Sequence, residues 1–74
     1  MRIESITVNF KIALFKNGLS ISKFANALDI NTSYANQIVN GKRTPSPKLA
    51  KKMAQILNVD ITDIFNIAVE EVSK

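Results

Sequence analysis

The chain has 74 residues, which suffice for a single domain spanning 1–74 and leave no room for a second. Apolar residues make up 46% of the sequence, and it contains no cysteine and no histidine. We therefore expect a folded domain without disulfide bonds, the usual zinc ligands or a cofactor. No apolar run approaches the ~20 residues that span a bilayer, so we expect a soluble, cytoplasmic protein with no membrane partner.

The formal net charge of +4 is distributed unevenly along the chain. Residues 1–58 carry nine basic and two acidic side chains, for +7, whereas residues 59–74 carry one basic and four acidic side chains, for −3. Such a basic body favours a polyanionic partner. Ordinary solvation of a lysine-rich surface is the alternative interpretation, because a net charge of this size is also typical of soluble domains.

The first predicted helix covers about residues 5–17. Ser5 is a plausible N-cap, and Gly18 is suited to end the helix because glycine tolerates a positive φ. Apolar residues also alternate briefly between Ile6 and Phe10, so a short N-terminal strand is the alternative to the start of this helix.

Two short helices joined by a tight turn are predicted between about Ser20 and Asn40. Ser20 and Asn31 are the expected N-caps, Asp29 is the expected left-handed turn residue, and Gly41 follows the last helical residue. The small and branched apolar residues that would hold the two helices together are Ala25, Ile30, Ala35 and Ile38. The polar side chains on the outer face of the third helix are Thr32, Ser33, Asn36 and Gln37.

A fourth helix is predicted to begin at Ser46 and Pro47 and to end near Asn58, since proline is favoured at the first helical position. A fifth helix is predicted over about residues 61–72, from apolar residues at helical spacing: Ile61, Ile64, Phe65, Ala68 and Val72. This stripe is longer than a small core needs, so its exposed part is a candidate dimer seam. The seam would contain Ile64, Ala68, Val69 and Val72. Capping of the core is the alternative.

Two short helices with small polar side chains on the outside of the second are typical of a helix-turn-helix unit. Amide side chains can bond adenine in a bidentate way, and hydroxyl side chains can contact several base edges in the major groove. The alternative is a solvated helix face without a ligand. The predicted fold class is therefore all-α, with five helices and a helix-turn-helix unit at about residues 20–40.

The sequence resembles the phage repressor and Cro type (XRE-like) of helix-turn-helix domain over about residues 6–66. The most specific part is Ser33-Tyr34, then Gln37-Ile38, then the run from Asn40 to Ser46. The resemblance implies a five-helix, lambda-repressor-like domain that binds double-stranded DNA, usually as a homodimer on a two-fold operator. It also implies a transcriptional regulator of phage or mobile-element type that occupies an operator.

Position by position, the resemblance assigns base contacts to Thr32, Ser33, Asn36 and Gln37. It assigns phosphate contacts to Tyr34, Lys42 and Arg43, and to the starts of helices 2 and 4 at Ser20 and Ser46. Lys48, in the first turn of helix 4, is a further candidate for a phosphate contact. Helix N-termini favour phosphate because their backbone N–H groups and dipole face outward. Lys48 together with Lys51 and Lys52 can alternatively be a solvated face.

The chain departs from this family in three ways. Ile21 replaces the usual glutamine after the cap of helix 2, and Asp29 replaces a glycine in the turn. Leu14 and Val39 together replace a buried arginine–glutamate pair found in many members. Because two apolar groups can replace a buried ion pair without loss of stability, the paired change predicts that Leu14 and Val39 are in contact.

The sequence gives catalysis little support, so we expect no enzymatic activity. Histidine and cysteine are absent, and Glu70 and Glu71 would point about 100° apart on a helix. A second functional interpretation is a protein-interaction module, either a modulator of a repressor or an antitoxin. Ile21, the neutral face of the third helix and the apolar stripe of the fifth keep that interpretation open.

Overall fold

The computed structural model describes residues 2–68. Its elements in chain order are β1 (Arg2–Ser5), α1 (Thr7–Lys16), α2 (Ile21–Leu28), α3 (Thr32–Val39), α4 (Pro47–Leu57), α5 (Ile61–Ile64) and β2 (Phe65–Ala68). The predicted class is confirmed: the described residues form five helices, and the two short strands add one antiparallel pair.

Most of the helices begin at a side chain that caps them. In four of them the capping oxygen accepts a hydrogen bond from a backbone N–H two or three residues later: Ser20, Asn31, Ser46 and Asp60. Each bond satisfies one of the N–H groups that a helix start leaves without a partner in the helix. The predicted caps Ser20, Asn31 and Ser46 are confirmed.

Four helices are followed within two residues by a residue in the left-handed region: Gly18, Asp29, Gly41 and Asn58. After α2, the Ile30 N–H donates to the Ala25 carbonyl at 3.0 Å and the Asp29 N–H donates to the Asn26 carbonyl at 3.1 Å. This pair of bonds closes the last turn of the helix and reverses the chain. The turn between α2 and α3 is therefore left-handed at Asp29, although this position is not glycine.

The core is centred on the ring of Phe10 in α1. Phe10 meets Phe24 of α2 edge-on, with ring centroids 5.7 Å apart, and meets Phe65 of β2 edge-on at 5.4 Å. All three rings are buried. Edge-to-face geometry is an arrangement that aromatic pairs favour, so these two contacts tie the first two helices to the end of the described chain.

Leu14 and Val39 lie in the same core cluster, where α1 packs against α3. Leu14 is 5% exposed and Val39 is fully buried. Both positions are thus apolar and internal, as the paired replacement of an ion pair predicts.

The predicted start of the first helix is wrong. Ser5 is the last residue of β1, and its hydroxyl donates to the Ile38 carbonyl at the end of α3 instead of capping a helix. Helix α1 begins at Thr7, with Ile6 at the cap position and no side-chain cap. The alternative, a short N-terminal strand, is present, but it is formed by Arg2–Ser5 and not by the alternating residues Ile6 to Phe10, which cap and begin α1.

The predicted length of the fifth helix is also wrong, because α5 ends at Ile64. Residues Phe65–Ala68 form β2, which pairs with β1 in the register Ile3 with Ile67 and Ser5 with Phe65. Phe65 and Ile3 are buried and Ile67 is half-buried on one face of the pair, and this packing stabilises the extended form. A local helical pattern cannot reveal a partner so distant in sequence.

These findings change the predicted dimer seam. Ile64 is buried in the core of the same chain and is not accessible to a second copy. Ala68 is exposed on β2, while Val69 and Val72 lie outside the described residues.

Candidate nucleic-acid interface

Helix α3 has a sharply divided surface. Its inner residues, Ala35, Ile38 and Val39, are fully buried against the core. Its outer residues Thr32, Ser33 and Asn36 are exposed, and Gln37 is half-buried at the edge of the same polar face. The side chains predicted to contact bases therefore lie together on one helix.

The amide of Asn36 is hydrogen-bonded to Asn40, a residue that was not predicted to belong to the site. The Asn40 Nδ2 group donates to the Asn36 carbonyl at 2.8 Å and to the Asn36 Oδ1 atom at 3.0 Å. An amide oxygen has a second lone pair, and the Asn36 Nδ2 group is a donor, so the side chain keeps the pair of functions that an adenine edge requires. The spacing of four residues on one helix face is the signal that could have found Asn40.

The basic loop after α3 is anchored by the end of that helix. The Gln37 carbonyl accepts hydrogen bonds from the backbone N–H of Lys42 at 2.8 Å and of Arg43 at 3.3 Å, and Gly41 supplies the left-handed residue that reverses the chain. Both basic side chains are exposed. These bonds fix the backbone of the loop, and so the side chains of Lys42 and Arg43 begin directly beyond the end of α3.

Tyr34 and Arg43, each predicted to contact phosphate, also contact one another. The Arg43 guanidinium lies over the Tyr34 ring, 5.2 Å from its centroid, in a cation–π contact. Tyr34 is half-buried and packs against the core, so its ring gives the Arg43 guanidinium a fixed surface to stack on. This stacking was not predicted from the sequence.

The two predicted phosphate-binding helix starts belong to α2 and α4, which pack against each other. The Ser20 and Ser46 side chains are exposed, and each accepts a hydrogen bond of 3.2 Å, from the backbone N–H of Lys23 and Leu49 respectively. Lys48 is exposed in the first turn of α4.

Ile21, at the first position of α2, is half-buried and packs on the core cluster. Its apolar side chain therefore has a role in packing, at the position where the resemblance predicts a glutamine.

The charge of this part of the chain is uniformly positive. Residues 30–59 contain five basic side chains and no acidic one. All five are exposed, and they are Lys42, Arg43, Lys48, Lys51 and Lys52. A segment with exposed basic groups and no acidic residue favours contact with a polyanion, which such charges attract at long range.

Asp60 lies beyond the basic segment, at the start of α5, and its role is structural. Hydrogen bonds from the backbone N–H and the hydroxyl of Thr62 hold the pKa of the Asp60 carboxyl below its usual range. Across residues 2–68 no three side chains of the metal-binding types cluster together. Among the helices in that range, none has the length and apolar character required to traverse a lipid bilayer.

Five packed helices, of which the third carries an exposed polar face beside a basic loop, define a helix-turn-helix DNA-binding protein. The sequence model of the helix-turn-helix family matches residues 11–64, and the chain belongs to this XRE-type family of DNA-binding regulators. A crystal structure of a protein from Bacteroides fragilis, described as a candidate DNA-binding protein, has a similar fold with a TM-score of 0.73. The two chains share 20% identity, and the match covers 86% of this chain and 98% of the other. No curated protein matches the sequence.

Proposed function

We propose that this protein is a sequence-specific transcriptional regulator of the repressor and Cro type, from a phage or mobile element, that reads the major groove with α3. The observation that carries the proposal is the division of α3, whose inner residues are fully buried while Thr32, Ser33 and Asn36 are exposed. A recognition helix needs this combination, because packing must fix its position while its hydrogen-bonding groups remain accessible to base edges.

In this proposal the polar face of α3 selects the sequence and the surrounding groups position the protein. Asn36 and Gln37 contact bases, and Thr32 and Ser33 contact neighbouring base edges. The phosphate contacts come from Ser20, Tyr34, Lys42, Arg43, Ser46 and Lys48. The uniformly positive segment 30–59 supports this division, since phosphate contacts supply affinity without sequence information.

In this proposal the protein acts as a homodimer on a two-fold DNA site. Two copies related by two-fold symmetry place their α3 helices in successive major grooves, roughly 34–36 Å apart along the DNA. Site selection from random DNA with the pure protein should therefore recover two inverted half-sites. Recovery of single, unpaired half-sites would contradict the dimer.

The test of the proposed roles compares two variants on the selected site and on unrelated DNA. Gln37→Ala should reduce the preference for the selected site by about 1–3 kcal/mol. Lys42→Ala should weaken binding to every sequence and reduce the slope of log affinity against log salt by about one. Lys52→Ala removes the same charge from the middle of α4, at a position to which the proposal assigns no phosphate contact, and is the matched control with a smaller effect.

Gel retardation or fluorescence anisotropy at several salt concentrations measures both quantities. If Gln37→Ala and Lys42→Ala lost the same affinity on all DNA, the proposed division of roles would be wrong. If the unaltered protein retarded no DNA even at low salt, the proposal that it binds DNA would be wrong.

A further inference from the structure

Helix α1 exposes a line of large apolar side chains on its outer face. Val8 is 67% exposed, Ile12 is 47% exposed and Phe15 is 85% exposed. Their spacing of four and three residues places them on one side of the helix, and we call them the α1 stripe. Single exposed apolar residues are common, but a contiguous group on one helix face is typical of an interaction surface.

The α1 stripe borders a groove of about 280 Å³ between α1 and α5. Ile12 lines both the stripe and the groove, and the buried residues Ala13 and Ile64 are also among the residues that line it. A side chain from a partner can therefore enter the groove while its neighbours cover Phe15 and Val8.

The charged residues of α1 that flank the stripe are both basic. With 100° between successive residues, Lys11 lies about 70° to one side of the stripe and Lys16 about 70° to the other. Both lysines are exposed, and α1 contains no acidic residue. The groove itself is lined by one charge of each sign, Lys16 from α1 and Asp63 from α5.

We propose that the α1 stripe and its groove bind an amphipathic helix of another protein, with apolar residues at helical spacing and carboxylates on both flanks. Apolar anchors would cover Val8, Ile12 and Phe15, and the flanking carboxylates would pair with Lys11 and Lys16. This is helix-in-groove recognition, in which apolar anchors give affinity and flanking charges give specificity.

A second copy of this chain fits the α1 stripe less well. In an antiparallel two-fold pair, Phe15 of each copy would cover Val8 of the other, but the two Lys11 side chains would meet near the axis. Each copy also carries a net charge of +4. The three side chains offer an area on the order of a few hundred Å², whereas a stable dimer buries about 800 Å² per partner. A small partner of opposite charge therefore fits better.

The α1 stripe lies on a different helix from the proposed base-reading residues. Helix α1 packs against α3, and the buried residues of α1 are Phe10, Ala13 and Leu14. The stripe is on the exposed side of α1, so a partner bound there should leave the base-reading side chains of α3 uncovered.

The test uses two synthetic helical peptides of about 15 residues. Both carry leucine at positions i, i+4 and i+7, and one has glutamate on both flanks where the other has lysine. In fluorescence anisotropy the glutamate peptide should bind at least about tenfold more tightly than the lysine peptide. Phe15→Ser should weaken its binding about tenfold, and Lys11→Glu with Lys16→Glu should remove the preference. Lys23→Glu, an exposed change on α2, is the matched control and should retain the preference.

Equal affinity for the two peptides, or no effect of Phe15→Ser, would overturn the proposal. Sedimentation that showed a dimer dissociated by Phe15→Ser would assign the stripe to a second copy instead. Binding to phosphatidylglycerol vesicles that Phe15→Ser abolished would assign it to a membrane. Because Phe15 is 85% exposed, the variant should keep the wild-type melting temperature and DNA affinity. Failure of the wild-type protein to bind DNA would contradict the proposed function and leave the peptide result intact.

Discussion

Introducing a buried ion pair between α1 and α3 gives a stringent test of whether Leu14 and Val39 are in contact in the core. Leu14→Arg and Val39→Glu each place one charge at a buried position, where the lone charge costs about 3–5 kcal/mol. A domain of 74 residues has a total stability of about 4–11 kcal/mol, so either single variant should lose a large share of it. The double variant should instead lie within about 4 kcal/mol of the wild type, because the two charges pair.

The coupling free energy is the quantity that tests the contact. If Leu14 and Val39 touch, the double variant should be more stable than the sum of the two single losses by at least about 2 kcal/mol. Leu14→Arg combined with Val8→Glu is the control, because Val8 is 67% exposed on the outer face of α1 and its carboxylate cannot reach the core. That control should be as unstable as Leu14→Arg alone.

Urea unfolding followed by far-ultraviolet circular dichroism measures these losses, since the sequence contains no tryptophan. Comparison of the double variant with its control remains informative even if both single variants are unfolded. A coupling below about 0.5 kcal/mol would mean that the two side chains do not touch, and the inferred equivalence with the family's ion pair would be wrong.

Three further changes test other parts of the fold. Asp29→Gly should raise the unfolding free energy by about 0.5–1 kcal/mol, because glycine adopts the left-handed conformation at this turn without a steric cost; an unchanged or lower urea midpoint would contradict this. Phe65→Leu should lower stability by about 1–2 kcal/mol and the melting temperature by several degrees, since it removes the edge-to-face contact with Phe10; a loss below about 0.5 kcal/mol would show that the contact contributes little. The lowered pKa of Asp60 means that its cap stabilises the fold above the ordinary pKa of a carboxyl group and ceases to do so as the pH falls through the lowered value. Asp60→Asn should therefore make the melting temperature less sensitive to acid below about pH 4, and an identical acid profile would refute this role.

Local chemistry made the helices predictable. Ser20, Asn31 and Ser46 are side chains that cap helices, and Asp29 is among the residue types that enter the left-handed region readily. These signals act over a few residues and do not need the rest of the chain. The bounds of α2, α3 and α4 and the polar outer face of α3 therefore followed from the sequence.

Distant contacts could not be predicted in the same way. The strand Phe65–Ala68 has apolar residues that also fit a helix, and its conformation depends on pairing with β1, whose residues lie 60 to 66 positions earlier in the chain. The Arg43–Tyr34 stack depends on side-chain rotamers, which sequence spacing does not determine.

The exposed face of α1 was hidden for a different reason. Six of the ten residues in this helix are apolar, and they are distributed around its circumference. A helix that is apolar on all sides gives no indication of which face is buried. The position of Phe15 on the outside became apparent once the packing of Phe10 and Leu14 was known.

The pairing of Arg2 with Ala68 brings the beginning and the end of the described fold side by side. A short linker could therefore join these two points without stretching the backbone, and a new opening could be made elsewhere in the chain. The exposed stretch 42–44, after α3, offers such an opening for a circular permutant. A permutant opened there would keep every helix intact while releasing Lys42 and Arg43 from their anchored loop, and so would separate the folding of the domain from the arrangement of its cations.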